Sequence, residues 1–228
     1  GFQGNVETIE EAIPKLGISM TRTLILSFHL ARHKSQQEKL QPVLQKLWRS
    51  SLTQAVFAEL IADQIRAADS PTCFLAAMLQ DIGILAMWSE APGEYTDGVL
   101  AHSQLPNVVA SERGHFGFSH VDVSTAILKQ WNMYELFGPA IEQHHDRMTR
   151  PINGKIDRLG AVLQAAHLGA ALLVSGESSR RSLNGSLDQW MAFLRDHFDF
   201  TESQAEEVLK DVNLRVEEYS VIFNFNIG

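Results

Sequence analysis

Apolar residues recur at three- and four-residue spacing along nearly the whole chain, and no segment alternates apolar and polar residues for the length of a strand. That pattern confines the chain to helix packed on helix. "VETIEEAIPKLG" (6–17) and "SMTRTLILSFHLAR" (19–32) predict two helices, the first ending at Gly17. "LQPVLQKLWRSSLTQAVFAELIADQIRAAD" (40–69) is helical on both sides of Ser50-Ser51. "SPTCFLAAMLQDIGILAMW" (70–88) reads as one helix, in which Ser70 can cap and Pro71 suits the first turn. A short helix covers 106–115. "SHVDVSTAILKQWN" (119–132) opens on a capping Ser119, and "MYELFGPAIEQHHD" (133–146) ends in two histidines. "KIDRLGAVLQAAHLGAALLVSG" (155–176) is a small-residue helix suited to close packing. "TESQAEEVLKDVNLRVEEYSVIF" (201–223) begins with Thr201 and Gln204 at capping-box spacing. "APGEYTDG" (91–98) and "SSRRSLNGS" (178–186) read as loops, and "TRPING" (149–154) breaks the chain.

Composition narrows the function classes. The formal charge is −8, which argues against a nucleic-acid surface, where clustered Lys and Arg must neutralise phosphates. Cys73 is the only cysteine, so no internal disulfide can form, and a reducing compartment is expected. The longest apolar stretch, 159–174, has 16 residues, short of the ~20 that span a bilayer. The expectation is a cytoplasmic protein with no nucleic-acid or membrane partner. Trp48, Trp88, Trp131 and Trp190 fall on apolar helical faces and are expected in the core. Cys73 reads as a small core residue rather than a nucleophile.

Within the apolar run 75–88 stands a polar pair, Gln80-Asp81. An acid there needs a chemical reason. The other conspicuous side chains are His115, His120, His144 and His145, because imidazole and carboxylate together suit divalent Fe, Mn or Zn. Neighbouring residues on a helix diverge by about 100°. His144 and His145 would therefore serve two metals, or one would bind metal while the other orients a ligand. Taken singly, each histidine is as well explained as a cap, a core hydrogen-bonder or a surface residue.

"LQDIG" (79–83) resembles the "LHDIG" core of the HD superfamily of metal-dependent phosphohydrolases, which includes the HD-GYP type. "HFGFSHVDVSTAILKQW" (115–131) resembles the segment in which a His of those proteins begins a helix, and "IEQHHD" (141–146) resembles their paired-histidine motif. "VETIEEAIPKLG", "LWRSS" (47–51), Glu112 followed by Gly117 and His120, and Trp131 point within that group to the HDOD family, an HD-related output domain of bacterial signalling proteins. Order and spacing agree over about residues 5–150. The resemblance implies an all-α, compact multi-helix bundle. Residues 1–150 would form the HDOD-like domain, with the family's earlier helices absent, and 151–228 a helical C-terminal extension packed on it.

The same resemblance places Asp81, His120, His144 and His145 at metal-site positions and Gln80 where the family's His stands. An earlier His is expected near "RSSLTQ", with Ser50 or Ser51 nearby. "DRMTRPING" replaces the "ERxDGxGYP"-like continuation. A neutral amide is a poor substitute for imidazole on a transition metal, so the site reads as degenerate and divalent metal binding as weak at most. Asp81 must then be satisfied by a histidine or backbone N–H groups. The expected function is a non-catalytic signal-transduction module that contacts another signalling protein or domain, with no cofactor required. The alternative is a residual phosphohydrolase acting on a nucleotide or cyclic dinucleotide. The run Val221, Ile222, Phe223, Phe225, Ile227 needs cover, which makes Phe223 and Phe225 candidate contacts for the chain's own core, a partner or a second copy.

Overall fold

The computed structural model describes residues 41–66, 69–100, 108–145, 151–152, 155–174 and 180–222. The helices expected at 6–17 and 19–32, and Phe223 and Phe225, lie outside them. The chain divides into two compact units, Gly1–Leu44 and Gln45–Gly228. The second unit holds every described element apart from the opening turn of the first helix.

The described residues are almost entirely helical. α1 (Gln41–Ile65) runs unbroken through Ser50-Ser51, and α2 (Ser70–Gln80) and α3 (Ile82–Glu90) follow. A single turn (Pro92–Glu94) leads into a π-helical segment (Tyr95–Leu100). Then come α4 (Val108–Phe116), α5 (His120–Gln130) and α6 (Tyr134–Glu142). Two-residue strands β1 (Pro151–Ile152) and β2 (Lys155–Ile156) pair antiparallel, with Pro151 opposite Ile156, where the sequence predicts a break. α7 (Arg158–Val174), α8 (Arg180–Phe198) and α9 (Glu202–Ile222) complete the chain.

The helix ends follow local chemistry. Ser119 caps α5, with the Asp122 carboxylate reaching back to the Ser119 N–H at 2.8 Å. Gln204 reciprocates with Thr201 at the start of α9, accepting its N–H at 3.0 Å. Arg66, Asn132 and Asp199 turn the chain out of α1, α5 and α8 in the left-handed conformation, with φ of 49°, 57° and 57°. Ser70 does not cap α2. Asp69 does, accepting the Thr72 N–H at 3.2 Å, and the Ser70 hydroxyl turns to Asp63 instead.

Three other expectations are corrected. Residues 92–98 are helical rather than a loop, because Tyr95 and Val99, four apart, are both fully buried. Residues 180–186 are the opening turns of α8, where propagation adds one hydrogen bond per residue once a helix is nucleated. Trp48 and Trp131 are only half-buried, whereas Trp88 and Trp190 are core.

α7 packs on α2, α6 and α8, and its small residues set the distance. A Cβ on Gly169 would stand 2.8 Å from the Phe57 ring and 3.0 Å from Trp190 Nε1. Phe57 and Trp190 meet edge to face at 5.7 Å, worth about 0.5–1.5 kcal/mol beyond area burial. The Trp190 indole N–H donates to the Ala165 carbonyl at 2.9 Å. α9 is fastened to α1 and α2: Tyr219 donates to Glu59 at 2.9 Å, Arg215 pairs with Glu59 at 3.5 Å, and the Tyr219 ring lies 5.1 Å from Phe74. Ser70–Glu90 is long and apolar enough to cross a membrane by length and composition. It is interrupted at Asp81, and 56% of its apolar window is buried inside the fold.

That interruption is the feature the sequence reading missed. Asp81 has φ −102° and ψ 15°, closing α2 and opening α3. The broken ladder leaves polar backbone groups in the core. Ser124 of α5 satisfies two of them, donating to the Gln80 carbonyl at 2.9 Å and accepting the Gly83 N–H at 2.9 Å. α3 lies so close to α5 here that a Cβ on Gly83 would sit 2.1 Å from the His120 carbonyl oxygen and 2.9 Å from the Ser124 nitrogen.

Gly83→Ala is therefore expected to destabilise the fold by about 1–3 kcal/mol or more, the usual scale of core overpacking. Urea denaturation followed by circular dichroism checks this, and a variant as stable as the parent contradicts the close approach.

Candidate functional site

The turn at Asp81, the start of α5 and the turn after α6 meet at one place. The donor atoms of Asp81, His120, His144 and His145 all lie within 4.8 Å of one another. His120 is the first residue of α5, held there by the Ser119 cap. His144 and His145 are not on α6 as expected. They occupy the turn that follows it, so the 100° divergence of a helix does not apply, and their ring centroids stand 4.0 Å apart.

Each ring is set by a partner on its far side. The His120 Nδ1–H donates to Glu112 at 2.7 Å, and the same carboxylate oxygen accepts the His120 backbone N–H at 2.8 Å. Glu112 and His120 are both fully buried. The Glu112 carboxylate also accepts the Tyr95 hydroxyl from the π-helical segment. The His144 Nδ1–H donates to the Ile141 carbonyl at 2.6 Å. With Nδ1 committed in both, their Nε2 atoms are left facing Asp81 Oδ1, at 3.4 Å from His120 and 3.2 Å from His144. His145 Nε2 is 2.9 Å from His120 Nε2.

With Nδ1 committed, the neutral rings of His120 and His144 aim lone pairs at the Asp81 carboxylate, an opposition that a positive charge among them relieves. One source is a proton on His120: burial pulls its pKa down, but Asp81 and Glu112 outweigh burial and push it up to about 9. Burial likewise tends to raise Asp81, yet hydrogen bonds to His120 and His144 hold it well below the usual carboxylate range. His145 is pushed down by burial and the surrounding imidazoles. The other source is a divalent ion, and the donor set fits one. Three imidazole nitrogens and a carboxylate are ligands that Zn, Mn or Fe accept, and the far-side bonds to Glu112 and Ile141 orient ligands as such sites require. When bound, an ion of this kind supplies Lewis acidity and a more acidic bound water.

Beside this cluster the chemistry changes. Gln54 of α1 donates through Nε2 to Asp81 Oδ2 at 2.7 Å. Its Oε1 accepts from Nε2 of Gln80, which is fully buried at the end of α2. The residue of α1 that reaches Asp81 is thus Gln54, one turn beyond the Ser50 and Ser51 expected there. Ser50 only touches the Gln54 amide, at 3.4 Å.

The sequence reading also missed His167, on α7. Its ring stands 4.5 Å from that of His145 and its Nδ1 3.4 Å from Gln54 Oε1. Burial pushes its pKa down to about 4. His167 lies in the small-residue helix, where it and Gln164 are the polar residues of the stretch 159–174, and that was the available signal. His115 does not join the cluster. It is exposed at the end of α4, its ring against Gly98 and 4.6 Å from that of Phe116. Cys73 is buried, and burial together with Asp69 pushes its thiol up to about 12, so it stays protonated.

Comparison with known proteins places these observations. The family model described as HDOD domain matches residues 1–147. The structure is similar to a crystal structure of a Shewanella amazonensis SB2B protein that carries the provisional name phosphohydrolase. The TM-score is 0.63 at 16% identity, over 96% of this chain and 78% of that one. At that identity the likeness shows the fold. No curated protein matches the sequence.

Glu112 supports His120 from behind, at both the ring and the backbone. Glu112→Ala leaves a buried imidazole and a buried phenol without their partner, and is expected to lower stability by about 3–5 kcal/mol, the scale of a broken buried pair. Glu112→Gln, which keeps an acceptor oxygen, should lose clearly less. Equal losses in the two variants, measured by chemical denaturation, contradict the hydrogen-bonding role.

Proposed function

The chain belongs to the HDOD family, and we propose that it is a non-catalytic signal-transduction module, cytoplasmic and bacterial, that works by contact with another signalling protein or domain. The observation that carries this is the amide pair beside Asp81. Gln80 stands where the superfamily motif has its His, and Gln54 is the α1 residue that reaches the same carboxylate. A hydrolytic metal site needs a fixed ligand set around an activated water. Here two of the groups beside the central Asp are neutral amides bound to each other, and one of them, Gln54, donates to that Asp.

A module without turnover needs a surface, and the sequence run Val221–Ile227 is its candidate. Five apolar residues within seven positions exceed what a monomer usually leaves exposed. Nucleic acid and membrane are not proposed as partners, because the chain is acidic and its apolar helices are mostly buried. A second copy of the chain is a candidate occupant.

The purified protein should not hydrolyse phosphomonoesters, nucleotides or cyclic dinucleotides with Mn, Fe, Mg or Zn. Turnover that disappears in Asp81→Ala would instead establish the superfamily's phosphohydrolase activity. Replacing both Phe223 and Phe225 with Ser should lower the melting temperature or weaken self-association or partner binding. A double variant that melts, sediments and binds like the parent removes this segment from the proposal.

A further inference from the structure

We infer that Gln54 and Gln80 convert the histidine cluster into a site for one divalent cation per chain, with the position for a second closed by their amides. This deepens the reading of the cluster as an altered metal site and is independent of whether the protein hydrolyses anything.

The two oxygens of Asp81 face different chemistry. Oδ1 faces the Nε2 atoms of His120 and His144, at 3.4 and 3.2 Å. Oδ2 accepts the Gln54 amide N–H at 2.7 Å. A carboxylate that bridges two cations with one on each oxygen needs open space beside both oxygens. An N–H directed at Oδ2 fills the space beside that oxygen and sets a positive amide hydrogen where a second cation would approach.

The Gln54 amide is not free to turn. Its Oε1 accepts from Gln80, whose side chain is fully buried, and also faces His167 Nδ1 at 3.4 Å. Reversal would bring Gln54 Oε1 against the Asp81 carboxylate, acceptor against acceptor, and would set its NH₂ against the Gln80 NH₂. The lock leaves Gln80 Oε1 buried without a hydrogen-bond partner. A buried amide oxygen of that kind is costly to keep, and an imidazole at position 80 would remove it.

On the opposite side, among the described residues, the donor atoms face one another. Three imidazoles and Asp81 Oδ1 converge, and the 4.8 Å that bounds their donor atoms is little more than two metal–nitrogen bonds of about 2.1 Å each. Such a span suits one ion. Glu112 and the Ile141 carbonyl hold two of the rings with Nε2 inward, so the donors are pre-aimed.

The test uses the full chain, stripped of metal by a chelator and titrated with cobalt(II) chloride and with manganese(II) chloride. Visible absorption of cobalt and elemental analysis after dialysis give the number of ions bound. One ion per chain is expected. Affinity should fall about 10-fold or more in His144→Ala, and binding should be lost in the isosteric Asp81→Asn. The double variant Gln54→His/Gln80→His is expected to take up two ions. Uptake of two ions, or of none, by the parent overturns the inference, as does uptake of only one by a folded double variant. Because two changes at a buried position can prevent folding, Gln54→Glu alone provides a second reading. It exchanges the amide N–H for a carboxylate, and two ions are again expected, one ion counting against the proposal. A phosphodiesterase assay on the same preparations separates the two ideas, since a parent that binds one ion and turns over substrate overturns only the non-catalytic reading.

Discussion

The carboxylate of Asp81 organises the described part of the molecule. It sits where α2 stops and α3 starts, so the helix break and the cluster are one event. A carboxylate in the core must be compensated, and the compensation comes from four directions: His120 of α5, His144 after α6, Gln54 of α1, and Gln80 through Gln54. Each contact obliges its helix to approach. Ser124 completes the arrangement by taking the backbone groups that the break releases. Remove the charge and these helices lose their common reason to point at one spot.

Much of this was legible in the sequence, and the limits of legibility have physical causes. Ser119 with Asp122 and Thr201 with Gln204 announce helix starts because a cap is a local bond, made within one turn. The break at Asp81 is not local. Residues 70–88 keep a helical apolar pattern on both sides of Gln80-Asp81, and the groups that stabilise the break come from α5, some forty residues on. The same holds for Tyr95. Read alone, "APGEYTDG" has the composition of a loop, and the distant partners that fold it inward, the Glu112 carboxylate and the Phe116 ring, lie in α4. His144 and His145 were identified by the motif, but their geometry depended on whether they lay in a helix or just beyond its end. His167 and Gln54 carried no motif, since their importance is created by proximity.

In this member of the HDOD family a cluster of residue types that a metal accepts stands beside two neutral amides. The cluster joins α2, α5, α6 and α7 through hydrogen bonds and ring contacts that stand on their own. Such a network holds the fold whether or not chemistry is performed there. Structural use and catalytic use therefore make different demands on the same side chains. Orientation serves both, whereas the identity of residues 54 and 80 matters chiefly to the second.

At Gly83 the spacing between α3 and α5 is set by backbone against backbone, at a point where not even a methyl group fits. Side-chain packing is adjustable, since a leucine can yield to a methionine at small cost. A main-chain contact offers no such adjustment. The separation between Asp81 and His120 is consequently gauged by main-chain atoms, which a substitution in the surrounding side chains leaves in place. What this position contributes is a dimension rather than a chemical group.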